Sequence, residues 1–455
     1  MDEDAGVTEQ FAKFIVNTKS SKIPDAATDA AATGILDCVG TALAASTRRI
    51  GKIIIRHIDQ NGGEPVARVI GTGIRTSAPN AALANGTLGH ADDYDDVCDF
   101  GHSSAVLMPT LLALGEQLHK SGKNILDAYV LGFEIGARIN TGIGTNHYFR
   151  GWHSTSTIGT IAAAAAASRL LGLNVAQTRM ALGIAASHAG GVQANFGTMA
   201  KPLHPGNAAR SGIVAAQLAG LGYTASPDAI EAPLGYAAVF GNRKTNVRGM
   251  VEKLGEAPYR ILVTGIRIKQ WPCCYGNHAA IFLAIELASK FGIRPEQVKG
   301  MEFFGAEATN YLNRPDVHTD FDSKFSLQFN IAAAIVDDRI THGTFSGKKI
   351  TDPKIRSMMG KIILRKSSWK NKILFRGNPS DPAQTLVVHL KDGRSVSGTA
   401  KAGAGALLGR RVYEKFISNA RLAIPVNRAK NALEILRDLK NLRGVTELMD
   451  AVTAN

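Results

Sequence analysis

Apolar residues recur at helical spacing through most of the first 260 residues, the mark of helices with one face turned to a core. Within Asp25 to Ala45, the residues Ala31, Ile35, Val39 and Leu43 stand four apart. Val106 to His119 follows the same pattern, as does Leu126 to Ile139, where Ile135 and Ile139 are again four apart. Ile158 to Leu171 is alanine-rich, and Gly172 is placed to cap its C-terminus. Ala208 to Leu221 repeats the pattern and is closed by Gly222. Each of these stretches predicts a helix.

Near Lys269 the pattern changes. Gly300 to Gly305, the run Ile362-Ile363-Leu364 within Lys361 to Arg365, and Thr385 to Leu390 predict strands. Asp392-Gly393 follows the last of these and predicts a hairpin turn. Helices are predicted between the strands at Ala279 to Phe291 and Phe325 to Val336. After about residue 403 the helical period returns, at Ala406 to Ile417 and Val426 to Leu439. The chain is thus expected to be mainly α: an all-helical domain over residues 1–265, a smaller α+β domain over 266–402, and helices again over 403–455.

Composition narrows the class. A chain of 455 residues, 45% hydrophobic and 20% charged, has the proportions of a globular protein that can wall a site off from water. The most apolar helical stretch, Ile158 to Ala167, runs at once into Ser168 and Arg169, so no membrane span is predicted. The start, Met1-Asp2-Glu3-Asp4, is acidic and unlike a signal peptide. Cys38, Cys98, Cys273 and Cys274 are too few and too irregular for a disulfide framework or a zinc ribbon, and a cytoplasmic location is expected. Cys273 and Cys274, as neighbours, could pair only through a strained ring and read as packing residues.

The net charge is +14 and the pI about 9.6. Nucleic-acid binding ranks behind an enzyme because the basic residues are scattered, and a non-catalytic basic anion- or nucleic-acid-binding protein stands as the alternative of another class. The one modest cluster, Lys348 to Lys372 with Trp369 as its only tryptophan, reads as solvated surface. A positive field that draws anionic substrates to a cleft fits better.

Four segments carry candidate chemistry. Asn85 to Asp96 crowds together His90, Asp92, Asp93, Asp95 and Asp96, with Asp99 and His102 just beyond. Carboxylates at this density suit a hard metal, an aspartate that orients a histidine, or a solvated acidic loop with helix caps. The spacing is not that of an EF-hand, since Cys98 stands where its glycine would be. Arg150-Gly151-Trp152-His153-Ser154-Thr155-Ser156 precedes the alanine-rich helix, where unpaired N–H groups favour an anion or are capped by Ser and Thr. Lys201, in Met199-Ala200-Lys201-Pro202-Leu203-His204-Pro205-Gly206, falls in what its prolines and glycines predict to be a loop. There it can hold a carboxylate, act as a base once desolvated, or lie on the surface. Lys269 to Cys274 leads through Tyr275-Gly276-Asn277 to His278 at a helix start. Gly71-Thr72-Gly73 is no dinucleotide fingerprint: the third glycine is missing and βαβ alternation is absent.

Taken in order, these motifs resemble the MmgE/PrpD family, which includes 2-methylcitrate dehydratase, cis-aconitate decarboxylase and iminodisuccinate epimerase. The landmarks are Asn85 to Asp96, His102-Ser103-Ser104 to Leu111, Gly151 to Thr155, Met199 to His204, Lys269 to Cys274, Asn313-Arg314-Pro315 and Lys324-Phe325-Ser326. The resemblance implies a large helical domain built from both chain termini and a smaller α+β lid. It also implies a homodimer, and an active site between the domains that needs no metal or organic cofactor. It points to Asp93, His102, His153 and Lys201, read as catalytic, and to His278 and Tyr311 as substrate contacts; Arg150 and Lys269 are added as cations that can meet substrate carboxylates. The implied reaction is that of a lyase of the 2-methylcitrate dehydratase type acting on a small polycarboxylate, with decarboxylase and epimerase as alternatives. Two positions depart from the family pattern: Val97 stands where threonine is frequent, and Ser103 follows His102 where proline is usual.

Overall fold

The computed structural model describes residues 5–305, 309–366, 384–401 and 404–453. The fold is mainly α. It divides into two units: Met1–Ala194, Ala200–Ile268 and Leu408–Asn455 form the first, and Asn195–Met199 with Lys269–Leu407 the second.

The first unit is a bundle of helices around the alanine-rich one. Ser154–Leu171 packs on Ala200–Gly220, Gly122–Ile143, Ser103–Gln117 and Val175–His188. A helix covered on so many sides has little room for side chains, and Ala162 to Ala167 are all fully buried. Its partners are small at the same level: Ala163 packs with Val106 and Ala208. A Cβ on Gly212 would lie 2.4 Å from that of Ala163. Gly172 ends the helix in the left-handed conformation (φ 69°), as its position predicts. Asp25–Ser46 packs against Ala78–His90, and the Gly71 turn joins the short strands β1 (Ala67–Arg68) and β2 (Arg75–Thr76).

Two helices begin earlier than their apolar spacing indicates. Ser103–Gln117 starts in polar residues because Ser103 and Ser104 find buried hydroxyl and carboxylate partners. Ala200–Gly220 begins before Lys201, so the segment read as a loop is helical. Pro202 sits in the first turn, where a missing N–H costs nothing. Pro205 gives up the helical bond to Lys201 O, and burial holds it in line.

In the second unit a four-stranded sheet has the order β4-β3-β5-β6: β3 is Val298–Gly305, β4 Ile362–Lys366, β5 Gln384–Leu390 and β6 Ser395–Ala400. Strands β3 and β4 run parallel, and the other pairs are antiparallel. Leu386, Val388 and Leu390 alternate inward along β5. The predicted hairpin follows, with Gly393 at φ 91°. The His278–Phe291 helix packs on β5 and β6 and on the Leu327–Asp337 helix.

The chain then returns to the first unit. Arg410–Ala420 packs on Asp25–Ser46, and Val426–Arg437 packs on Thr446–Val452. Among the described residues no single helix is long and apolar enough to cross a membrane. Asp25–Ser46 and Arg49–Asn61 meet that combination of length and hydropathy only together, as a pair bent by 89°. The four cysteines are buried and form no disulfide. Part of the Lys348 to Lys372 cluster, Trp369 included, lies outside the described residues.

Candidate active site

Residues 91–102 connect the Ala78–His90 helix to the Ser103–Gln117 helix. This connection is buried, so the solvated-loop reading fails: Asp92, Asp93, Asp95 and Asp96 are 8%, 3%, 0% and 0% exposed. Asp93 takes a left-handed backbone (φ 50°), which aspartate tolerates and which re-aims its carboxylate. Val97 pairs with Arg267 through two backbone bonds of 2.9 Å. Gly101 (φ 118°) presses against the next helix, where a Cβ would lie 2.2 Å from Thr155 Oγ1. The following residue, His102, donates its backbone N–H to that same Thr155 oxygen at 3.2 Å. From below, Lys415 donates to Tyr94 O at 2.6 Å and pairs with Asp37 at 2.7 Å. Lys415 also lies 3.9 Å from the centre of the Tyr94 ring.

Five side chains close a ring above this connection. The Lys201 ammonium donates to His90 Nε2 and to Asp93 Oδ2, both at 2.8 Å. His90 Nδ1 meets Asp95 Oδ1 at 2.8 Å. Asp95 Oδ2 stands 3.1 Å from His102 Nδ1, whose hydrogen bond goes to Asp96 O at 2.8 Å. His102 Nε2 then faces Asp93 Oδ1 at 3.8 Å, the widest gap in the ring. The acceptors around Nδ1 place a proton there on both His90 and His102. The chemistry of His102 is therefore carried by Nε2, beside Asp93.

His153 joins this cluster from the start of the alanine-rich helix. Its ring centre lies 6.1 Å from that of His90 and 6.4 Å from that of His102. It is the residue preceding the helix, and its Nδ1 meets His204 Nδ1 at 2.9 Å. One of those two nitrogens must carry a proton and the other must accept it. His204 is held in turn through its backbone carbonyl, which accepts from Ser156 Oγ.

The ring is set by a close helix crossing. The Ala78–His90 and Ala200–Gly220 helices meet at Gly86 and Gly206: a Cβ on Gly206 would lie 2.4 Å from Leu83 O, and one on Gly86 would lie 2.8 Å from Gly206 Cα. Side chains at this level would part the helices. Without them, His90 at the end of one helix reaches Lys201 at the start of the other.

Burial controls the charges. It lowers His90 to about 3, assisted by Lys201 and His102 and opposed by Asp95. Burial also drives His153 well below its usual value and His204 down to about 4, and Lys201 adds to both effects. These three imidazoles are neutral at pH 7. Burial works to raise Asp95, but His90 and His102 outweigh it and hold that carboxyl well below the usual range. Asp96 goes the other way: burial, with Asp95 beside it, lifts it to about 7 despite the hydrogen bond from Ser103.

Atoms of His90, His102 and His153, and of His90, Asp93, Asp95 and His102, lie within 4.8 Å of one another, close enough to hold a metal ion. In this arrangement, however, Asp95 engages one nitrogen of His90 and the Lys201 ammonium the other. A divalent ion bound there would have to displace a positive charge, so the cation suited to the cluster is Lys201 itself.

The structure therefore brings together Asp93, His102, His153 and Lys201. It does not bring Arg150 to them: this side chain is exposed and donates to Gly241 O at 2.5 Å. Lys269, His278 and Tyr311 lie in the second unit. Lys269 is fully buried beside Cys273 O, His278 packs against Trp271 and Tyr275, and Tyr311 packs against Phe196. Sequence reasoning assigned no role to His90, Asp95 or His204. Their only signals were the crowding of the acidic segment and the histidine three residues after Lys201.

The sequence model of the MmgE/PrpD N-terminal domain matches residues 9–248, and that of the MmgE/PrpD C-terminal domain matches residues 271–441. Human cis-aconitate decarboxylase is 27% identical, over 97% of this chain and 93% of its own. The cis-aconitate decarboxylase of Aspergillus terreus is 25% identical, over 98% of this chain and 96% of its own. A cis-aconitate decarboxylase-like protein of Aspergillus oryzae is 33% identical over 61% of each chain.

Proposed function

We infer the reaction from one premise, that the chain belongs to the MmgE/PrpD family. The reading is a cofactor-independent lyase that moves a proton beside a carboxylate of a small di- or tricarboxylate. Decarboxylation of a cis-aconitate-like substrate is preferred, since the relatives compared bear that name over nearly their full length. One observation supports the chemistry above all: a buried ammonium, an imidazole Nε2 and a carboxylate share one dry ring.

Lys201 holds a substrate carboxylate and opposes the negative charge that develops as the reaction proceeds. In decarboxylation the bond to the leaving carboxylate breaks. Its electron pair spreads over the adjacent double bond onto a remaining carboxylate, and carbon dioxide departs. His102 Nε2 delivers a proton to carbon and regains one from solvent. While the ring is charged, Asp93 and Asp95 flank it and lower the cost of that state. His153, neutral and backed by His204, orients a second substrate oxygen. Substrate contacts by His278, Tyr311 and Lys269 are proposed on the family motif.

A second reading, dehydration of the 2-methylcitrate type, rests on the shared family and on the same ring of buried groups. Incubation with cis-aconitate, 2-methylcitrate, citrate and iminodisuccinate in deuterated water, followed by NMR, separates the readings. Carbon dioxide release identifies a decarboxylase and water loss a dehydratase. Deuterium uptake without net product identifies an epimerase. No change in any of the four would end the proposal.

A further inference from the structure

We propose that His90, backed by Asp95, is a positioning residue that aims the Lys201 ammonium at its working place beside Asp93. The inference deepens the lyase reading and rests on Lys201 being the group that meets the substrate carboxylate.

The argument begins with a proton. Asp95 can only accept, so the 2.8 Å contact at His90 Nδ1 requires the proton to lie on that nitrogen. His90 Nε2 then carries a lone pair, and the ammonium donates to it at 2.8 Å. Lysine has a long flexible stem, so one acceptor alone would leave its head free to swing. His90 Nε2 and Asp93 Oδ2, at equal distances, fix it from two directions. His90 and Asp95 are fully buried and Lys201 is 3% exposed, so water does not compete for these bonds.

Histidine suits this role in a way that a carboxylate would not. An uncharged acceptor holds the ammonium without cancelling its charge, whereas a second anion beside Asp93 would neutralise what the substrate needs. Burial and the ammonium itself keep His90 uncharged. Both of its nitrogens are already engaged, so it acts through Lys201.

Two substitutions separate the parts of the ring. His90→Asn keeps a donor near Asp95 and removes the acceptor for Lys201. His90→Gln places an amide oxygen near the lost Nε2. On the substrate identified by the NMR screen, His90→Asn is expected to lower kcat/KM by about 10- to 100-fold, as misplacement of roughly 1 Å does, and His90→Gln to recover most of it. In a Lys201→Ala background, His90→Asn should change kcat/KM by less than about twofold, since the two residues act as one unit. Effects that multiply instead would overturn the proposal.

Two further readouts do not depend on turnover. In a crystal structure of His90→Asn, Lys201 Nζ should leave Asp93. An ammonium still in its wild-type place would overturn the proposal. In wild-type protein labelled with ¹⁵N-histidine, His90 should show the Nδ1–H tautomer. The Nε2–H tautomer would refute the proposal even if no variant folds. If no polycarboxylate is turned over, the reaction assignment falls, and these two readouts still decide the positioning role.

Discussion

Substituting Gly206 by alanine tests whether the helix crossing sets the site. The added Cβ would lie 2.4 Å from Leu83 O, whereas ordinary contact begins near 3.4 Å. Leu83 O is backbone, so no side-chain rotation can relieve the clash, and the helices must part locally by about 1 Å. Passed on undiminished, that shift stretches the 2.8 Å bond between Lys201 and His90 beyond hydrogen-bonding range. Overpacking of this size costs about 1–3 kcal/mol, which lowers Tm by roughly 1–5 °C in a unit this large. A 1 Å error in a reacting group costs on the order of 10²-fold in rate. Differential scanning calorimetry and turnover should therefore separate: a modest stability loss accompanied by a large activity loss. A variant that kept turnover within about twofold of wild type would refute the link between this crossing and the ring.

His102→Gln, measured by kcat at saturating substrate, should lose about 10²–10⁴-fold while binding of the polycarboxylate by calorimetry changes little. Because burial lifts Asp96 to about 7 from an unfolded value near 3.8, its contribution to stability is full below about pH 3.8 and is lost as pH rises through about 7. Asp96→Asn should therefore raise Tm more at pH 8 than at pH 5. His90 and His204, lowered to about 3 and about 4, act in the opposite window: their contribution is present above about pH 6.5 and is lost as pH falls through those values, so acid should melt the first unit. Lys415→Met leaves Asp37 buried without its cation and should cost about 3–5 kcal/mol by urea denaturation, most of it recovered in the double variant with Asp37→Asn.

The helical body was legible because long amphipathic stretches repeat their period many times. Asp25–Ser46 and Gly122–Ile143 were each detected from a few residues four apart, although their ends lay outside that pattern. The β5–β6 hairpin was legible because Asp392-Gly393 is a local turn signal. The start of Ala200–Gly220 was not, because Pro202, Pro205 and Gly206 each argue locally for a loop. What overrides them is tertiary: Gly206 allows a backbone approach, and both prolines are buried. The site shows the same limit. His102, His153 and Lys201 carried sequence signals, but which nitrogen of each histidine faces which oxygen depends on partners up to 111 positions away. Arg150 shows a related limit: proximity to His153 along the chain says nothing of direction, and its guanidinium turns to Gly241 O.

Lys415 adds a matter of timing. Asp37 and Tyr94 leave the ribosome more than 300 residues before the lysine that holds them both. Until the Arg410–Ala420 helix is made, a nascent chain carries an uncompensated carboxylate and an untethered Tyr94 beneath the acidic segment. Competence for chemistry should therefore arrive late in synthesis, with chains that stop short of residue 415 remaining inert instead of half-active.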